Sequence, residues 1–351
     1  MATARDIELI ATVLSKILSD DGYPFDNIFS RIPLIKYMLL KDSKDGGSLG
    51  TNNRVRKLDG GLDIEIPLEY AVGNSMQFFD GMDKITFTLK ETDTNAKYDW
   101  KHGAQTLLMD RKDILKCQGN SAKLENLVGS KIRNMNKSMA TTLNGAILNG
   151  APGAKDIHSI PIIVDYIPTG ARTIGGIDQS AAANAFWRNK TSASTAATWA
   201  ALMAELDALY YSIIGNVNED GPDLFVTSLD FFKCLINYAR AKGTHTFVSD
   251  EIDNIFNLGG KSLKINGASV IWDSVAEPAA EAAHSAGYYL NTDYLQFVVH
   301  QDRQFELEGP QKMTFQGQDA IAWVIFLMCN LTCSNRSKQG VLYSVDHTIA
   351  A

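Results

Sequence analysis

The sharpest pattern in the chain has a period of two. Leu62, Ile64, Ile66, Leu68, Tyr70 and Val72 alternate with Asp63, Glu65, Pro67, Glu69 and Ala71, as in a strand with one buried face. Gly73-Asn74-Ser75 marks a turn. Ile85, Phe87 and Leu89 then alternate with Lys84, Thr86, Thr88 and Lys90. The polar face of the first run is acidic and that of the second partly basic, which favours cross-strand pairing. The expected element is a long two-stranded hairpin over Leu62 to Trp100. A ribbon alone is marginal in water, so its apolar face needs cover from the same protein or from another chain.

Elsewhere the period lengthens to that of a helix. Ile7, Ile10, Val13, Leu14, Ile17 and Leu18 form one stripe, stopped by Asp20-Asp21-Gly22 and Pro24. This short helix is either a core helix of its own domain or an arm lying on a neighbour. Lys41 to Gly61 is polar and glycine-containing and reads as a loop. Leu124, Val128, Ile132, Met135, Met139 and Leu143 form a second stripe, and Asn149-Gly150 before Pro152 is a sound stop. A continuous helix from Ser121 to Asn149 spans about 40 Å, more than twice the usual length, and suggests the backbone of an extended molecule.

From Ile160 to about Leu307 the pattern predicts a mixed α/β region. Ile162 to Ile167 reads as a strand, Gly170 to Asn189 as an irregular loop, and Thr198 to Gly215 as a helix striped by Leu202, Leu206, Leu209 and Ile213. Asp223 to Thr227 is a short strand and Leu229 to Lys242 a helix. Leu263 to Trp272 reads as two strands about the Asn266-Gly267 turn, with further strands at Tyr288 to Leu290 and Leu295 to His300. Glu306 to Leu331 is expected to be one long buried strand. No internal repeat divides the chain.

The 351 residues carry a net charge of -7, with 45% hydrophobic and 21% charged residues. That is a folded protein, and not one whose whole surface grips nucleic acid. The helical stretch departs from this balance. Arg111, Lys112, Lys116, Lys123, Lys131, Arg133 and Lys137 stand against only Asp113 and Glu125. A solvated helix face is the plain explanation; non-specific contact with DNA phosphates is the sharper one.

Little in the sequence points to catalysis. Cys117, Cys234, Cys329 and Cys333 are too scattered for a disulfide framework and read as reduced thiols. Cys329 and Cys333 lack the further ligands a zinc site needs. The six histidines show no metal-binding spacing. Gly259-Gly260-Lys261-Ser262 fails as a phosphate loop because Ile255 stands where glycine is required. No G-x-G-x-x-G pattern occurs, and the G-x-S-x-G spacing at Gly46 to Gly50 falls inside the polar loop, with no strand leading into it as a nucleophile elbow needs. No cofactor and no enzyme activity are expected. Charges at Arg5, Asp6 and Glu8 argue against a signal peptide, and Ile321 to Met328 is too short to span a bilayer.

Three stretches together resemble the major capsid proteins of tailed bacteriophages. They are Ile66-Pro67-Leu68-Glu69-Tyr70 through Tyr98-Asp99-Trp100-Lys101, the long helix ending at Asn149-Gly150, and Thr173-Ile174-Gly175-Gly176-Ile177-Asp178 running on to Phe186-Trp187-Arg188-Asn189. The resemblance implies an α+β chain of the Hong Kong 97-type fold. Residues 1–60 would form an N-terminal arm, 61–102 an extended loop, 103–159 a peripheral domain with its spine helix, 160–305 an axial domain, and 306–351 a return strand and tail.

The implied function is assembly, as hexamers and pentamers, of an icosahedral shell around double-stranded DNA. Leu62, Ile64, Ile66, Leu68, Tyr70, Ile85, Phe87 and Leu89 would then contact neighbouring subunits. Lys116, Lys123, Lys131, Arg133 and Lys137 would face the DNA. Implied partners are copies of itself, a portal, a cement protein and, because the loop is reached within about sixty residues of Met1, a separate scaffolding protein. Assembly would occur in the host bacterial cytoplasm, with the protein ending in the virion and no membrane involved. Lys84 and Lys90 find no matching asparagine, so no covalent cross-link is carried over. The alternatives are a cellular nanocompartment shell of the same fold, enclosing an enzyme cargo, and an α/β enzyme with an insertion and a clustered pocket.

Overall fold

The computed structural model describes residues 34, 55–71, 73, 76–84, 90–116, 121–149, 153, 155–215, 220–241, 263–273, 285–313 and 317–349. The stripe from Ile7 to Leu18, most of the loop before Val55, the run of Ile85, Phe87 and Leu89, Cys117 and the stretch Gly259 to Ser262 lie outside the described residues.

Strands β1 (Val55–Leu58), β2 (Ile64–Glu69), β3 (Asp93–Tyr98) and β4 (Lys101–Asp110) lead into helices α1 (Arg111–Lys116) and α2 (Ser121–Asn149). A single turn, α3 (Ile160–Ile163), precedes the two-residue strands β5 (Thr173–Ile174) and β6 (Ile177–Asp178). Then come β7 (Lys190–Ala193), α4 (Trp199–Ile214), β8 (Leu224–Thr227), α5 (Leu229–Ala241), β9 (Leu263–Ile265), β10 (Ala268–Trp272), β11 (Ser285–Leu290), β12 (Leu295–Lys312), β13 (Ala320–Cys333) and β14 (Gly340–Val345).

The first of two main layers is a four-stranded sheet in the order β1-β12-β13-β4 with α2 against it. The stripe on α2 is real: Val128, Ile132, Met135 and Met139 are buried in one core with Leu107, Met109, Trp323 and Ile325 of the sheet. The 29-residue helix has the predicted bounds. The apolar run after Glu306 is not one strand but two, since β12 and β13 pair antiparallel from Leu295↔Cys333 to Lys312↔Ile321. The polar stretch where they meet, with Gly309-Pro310 and Gly317, carries the break that the single-strand reading passed over. The register slips around Phe305, whose backbone is left-handed (φ 53) and whose ring is buried; the bulge turns that side chain inward.

The second layer is a six-stranded sheet, β7-β14-β11-β8-β10-β9. Its core holds Leu202, Leu206, Leu209 and Ile213 of α4 with Phe231 and Leu235 of α5. Thr198 caps α4 by accepting from the Ala201 N–H, and Gly215 (φ 75) ends it. Asn266 and Gly267, both at positive φ, turn β9 into β10 as the Asn-Gly pair requires. β14 corrects the expected layout. Far from trailing as a tail, it lies between β7 and β11. The expected strand Ile162 to Ile167 is also overturned: Ile160 to Ile163 form a helical turn containing Pro161, closed by the Val164 N–H on the Ile160 carbonyl at 2.7 Å.

Candidate assembly surfaces

A hairpin, β2 with β3, forms a separate two-stranded sheet beside the first layer. Its register runs from Ile64↔Tyr98 to Glu69↔Asp93, so the strand opposite the acidic run is Asp93–Tyr98 and not residues 84–90. The charge logic survives with the new partner. Glu65 and Lys97 pair across the strands at 3.0 Å, and the carboxylate holds the Lys97 ammonium above its ordinary pKa. β3 escaped the sequence pattern because its inward positions are Thr94, Ala96 and Tyr98, too small or too polar to register as a hydrophobic alternation.

The expectation that the apolar face of β2 lies open to sister subunits is also corrected. Ile64 is 0% exposed, and Ile66 and Leu68 are buried as well. They pack with Ala96 and Tyr98 on Ile162, Ile174, Trp187 and Val298 of the same chain, forming a third core. Tyr70 stacks on Phe186 with ring centroids 4.7 Å apart. Leu62 falls outside the strand and is 94% exposed. The hairpin's base is therefore anchored in its own subunit.

Residues 163 to 189 make that anchor rigid. The Lys97 N–H donates to the Gly175 carbonyl at 2.9 Å, and the Trp187 indole donates to the Ile174 carbonyl at 2.9 Å. Behind them lies a buried guanidinium, Arg336, which donates to the Ile163 carbonyl at 2.7 Å and to Gln179 Oε1 and Asn189 Oδ1 at 3.0 and 3.2 Å. Gln179 in turn donates to Asp165 at 3.0 Å, and Asn189 Nδ2 donates to the Asp165 carbonyl at 2.7 Å. Arg172 closes the network with a 3.1 Å ion pair to Asp165. On the far side, the Tyr98 hydroxyl donates to the Cys333 carbonyl at 2.9 Å, and Asn330 bonds both His158 and the Asp99 carbonyl. Burial drives the Cys329 and Cys333 thiols up to about 12, so both stay protonated and inert.

Beyond Glu69 and Asp93 the hairpin carries a tip without cover. Met76, Phe78, Phe79 and Met82 are exposed, Phe78 by 90% and Met82 by 100%. A turn holds them: the Asp83 N–H donates to the Asp80 carbonyl at 2.8 Å, and the Asp80 N–H to the Asp83 carboxylate at 3.2 Å. Sequence periodicity missed these residues because they follow neither repeat. The only signal available was large apolar side chains inside a turn.

The basic residues divide. Lys131 and Lys137 are exposed on α2, and Lys123 and Arg133 lie on the same helix with side chains outside the described residues. Lys116 belongs instead to α1 and pairs with Asp113 at 3.3 Å. Among the described residues, no three His, Cys, Asp or Glu side chains converge to hold a metal, and no helix is long and apolar enough to cross a membrane.

No family model matches the sequence, and no curated protein matches it. Solved structures do. The capsid asymmetric unit of cyanophage A-1(L) superposes with a TM-score of 0.62 at 14% identity, covering 91% of this chain and 94% of that one. The capsid of Myoviridae phage XM1 gives 0.52 at 10% identity over 83% and 90%, and Mycobacterium phage Adephagia 0.51 at 12% over 83% and 88%. These likenesses define a viral shell-protein fold. This chain has the Hong Kong 97-type capsid fold, with its long helix, two sheets and projecting hairpin.

Proposed function

We propose that the protein is a major capsid protein whose copies assemble, as hexamers and pentamers, into an icosahedral shell around double-stranded DNA. The observation that carries this reading is an anchored hairpin ending in an exposed apolar tip. A folded monomer gains nothing by holding Phe78 and Met82 in water, whereas contiguous exposed apolar groups mark contact sites. On this reading the hairpin is the extended loop and α2 with its four-stranded sheet the peripheral domain. The six-stranded sheet is the axial domain, and residues 1–60 the N-terminal arm. Many weak contacts summed over a closed shell give a stable particle.

Lys131 and Lys137, with Lys123 and Arg133 on the same helix, suit an inner surface making phosphate contacts without sequence preference. A separate scaffolding protein, a portal and a cement protein are the partners this function requires or accommodates. Assembly in a bacterial cytoplasm and residence in the virion follow from it.

The test is expression of the chain with and without its scaffolding protein, followed by sedimentation and negative-stain imaging. Closed particles containing nuclease-protected DNA after packaging are expected. A monomer under every condition refutes the reading, and particles filled with a protein cargo instead of nucleic acid redirect it to a compartment shell.

A further inference from the structure

The chain carries ten methionines, and the structure sorts the described ones by access. Met82 is 100% exposed and Met76 80%. Met109, Met135 and Met139 are buried, and Met203, Met313 and Met328 are half-buried. The two open sulfurs flank Phe78 and Phe79 on the hairpin tip, and Met82 lies inside the turn that Asp80 and Asp83 close. A thioether has no proton to lose, so its oxidation follows the access of the oxidant.

Thiols offer little competition. Cys234, Cys329 and Cys333 are buried, and burial pushes them up to about 11, 12 and 12. The thiolate is the nucleophile, and these three stay protonated. Among the described residues, the tip methionines are therefore the sulfurs that a dissolved peroxide meets first.

With hydrogen peroxide the step balances without a further reagent. A sulfur lone pair attacks one peroxide oxygen, the S–O bond forms and the O–O bond breaks. The departing hydroxide takes the remaining proton and leaves as water. Sulfur is oxidised by two electrons and the peroxide reduced by two. The sulfoxide oxygen is a polar acceptor on a side chain that was apolar. In open water it is solvated at no cost, whereas in a covered apolar contact it is an acceptor without a donor. The change therefore spares the folded subunit and falls on association.

We propose that Met76 and Met82 form a redox modification site: peroxide oxidises them in the free subunit, and the sulfoxides keep that subunit out of shells until they are reduced. The selectivity rests on exposure alone; the consequence for assembly rests on the shell reading above.

The test treats the unassembled full chain with dilute hydrogen peroxide, followed by quenching and peptide mass spectrometry. Met76 and Met82 are expected to gain one oxygen about tenfold faster than Met109, Met135 and Met139. Particle yield from the treated subunits should fall about tenfold, while their urea midpoint stays in place. Reduction by the two methionine sulfoxide reductases, one for each epimer, should restore the yield without any substitution. Met76→Leu with Met82→Leu keeps size and apolarity and should assemble equally with or without peroxide. Met76→Gln with Met82→Gln should lose yield with no peroxide added. Equal oxidation of tip and buried methionines overturns the site. Selective oxidation with undiminished yield, a loss the reductases do not reverse, or an equal loss in the leucine variant overturns its role. Failure of the untreated chain to form any particle, scaffold included, removes the shell reading instead, a result seen before any oxidant is added.

Discussion

Gly175 sits directly over the ring of Tyr98: a Cβ added there would lie 3.2 Å from Tyr98 Cζ and 3.1 Å from the Ala96 Cβ. This contact lets the loop after α3 lie flat on the hairpin, and the backbone at Gly175 is left-handed besides (φ 62). The Hong Kong 97-type hairpin of this chain is aimed by that packing, and several consequences can be measured.

Gly175→Ala should destabilise the subunit by about 1–2 kcal/mol, from left-handed strain on an L-residue with crowding against Tyr98 added. Urea denaturation monitored by fluorescence reads it. A midpoint equal to that of the unaltered chain would show that the loop yields without resistance.

Arg336→Met keeps the volume and removes the charge, stranding the acceptors of Ile163, Gln179 and Asn189 in a dry interior. Breaking such a buried network costs about 3–5 kcal/mol. The same denaturation series should show a loss of that order. Lys97→Ala, which removes an ion pair half-exposed on both sides, should leave the denaturation midpoint nearly unchanged.

Two apolar substitutions should behave oppositely. Leu206 is fully buried in the second core, so Leu206→Ala should cost about 2–5 kcal/mol. Phe78→Ser touches no core, so subunit stability should stay within about 0.5 kcal/mol while particle yield falls. Normal particles from Phe78→Ser would remove the tip from the assembly surface.

His158 gives a pH dependence. Burial, aided by Lys101, holds its pKa below the ordinary histidine value, although its bond to Asn330 opposes the shift. The folded state thus disfavours the imidazolium. Between the folded and unfolded values the unfolded chain binds more protons, so stability falls as pH drops below about 6.5. Melts at successive pH values should show this decline, flattened in His158→Gln. A profile unchanged by that substitution would assign the acid sensitivity elsewhere.

How much of this was legible in the residues differs by element. The long helix, the cap at Thr198, the Asn266-Gly267 turn and the strand Ile64–Glu69 follow from local periodicity and turn chemistry, which need only near neighbours along the chain. The face that β2 buries was legible too, but not what buries it. Its cover comes from Trp187 and Val298, more than a hundred positions away, and no local pattern encodes that distance. β4 passed unseen because six of its ten residues, Lys101 to Thr106, carry no large apolar side chain and are held as a strand by the ladder to β13. Nothing local in the sequence distinguishes Arg336 from a surface charge. Only the convergence of Ile163, Gln179 and Asn189 makes its burial affordable in free energy. Periodicity along the chain determined which faces must leave water; the tertiary fold decided which partner covers each, because burial energy rewards contact irrespective of sequence separation, and it left the Phe78 tip uncovered.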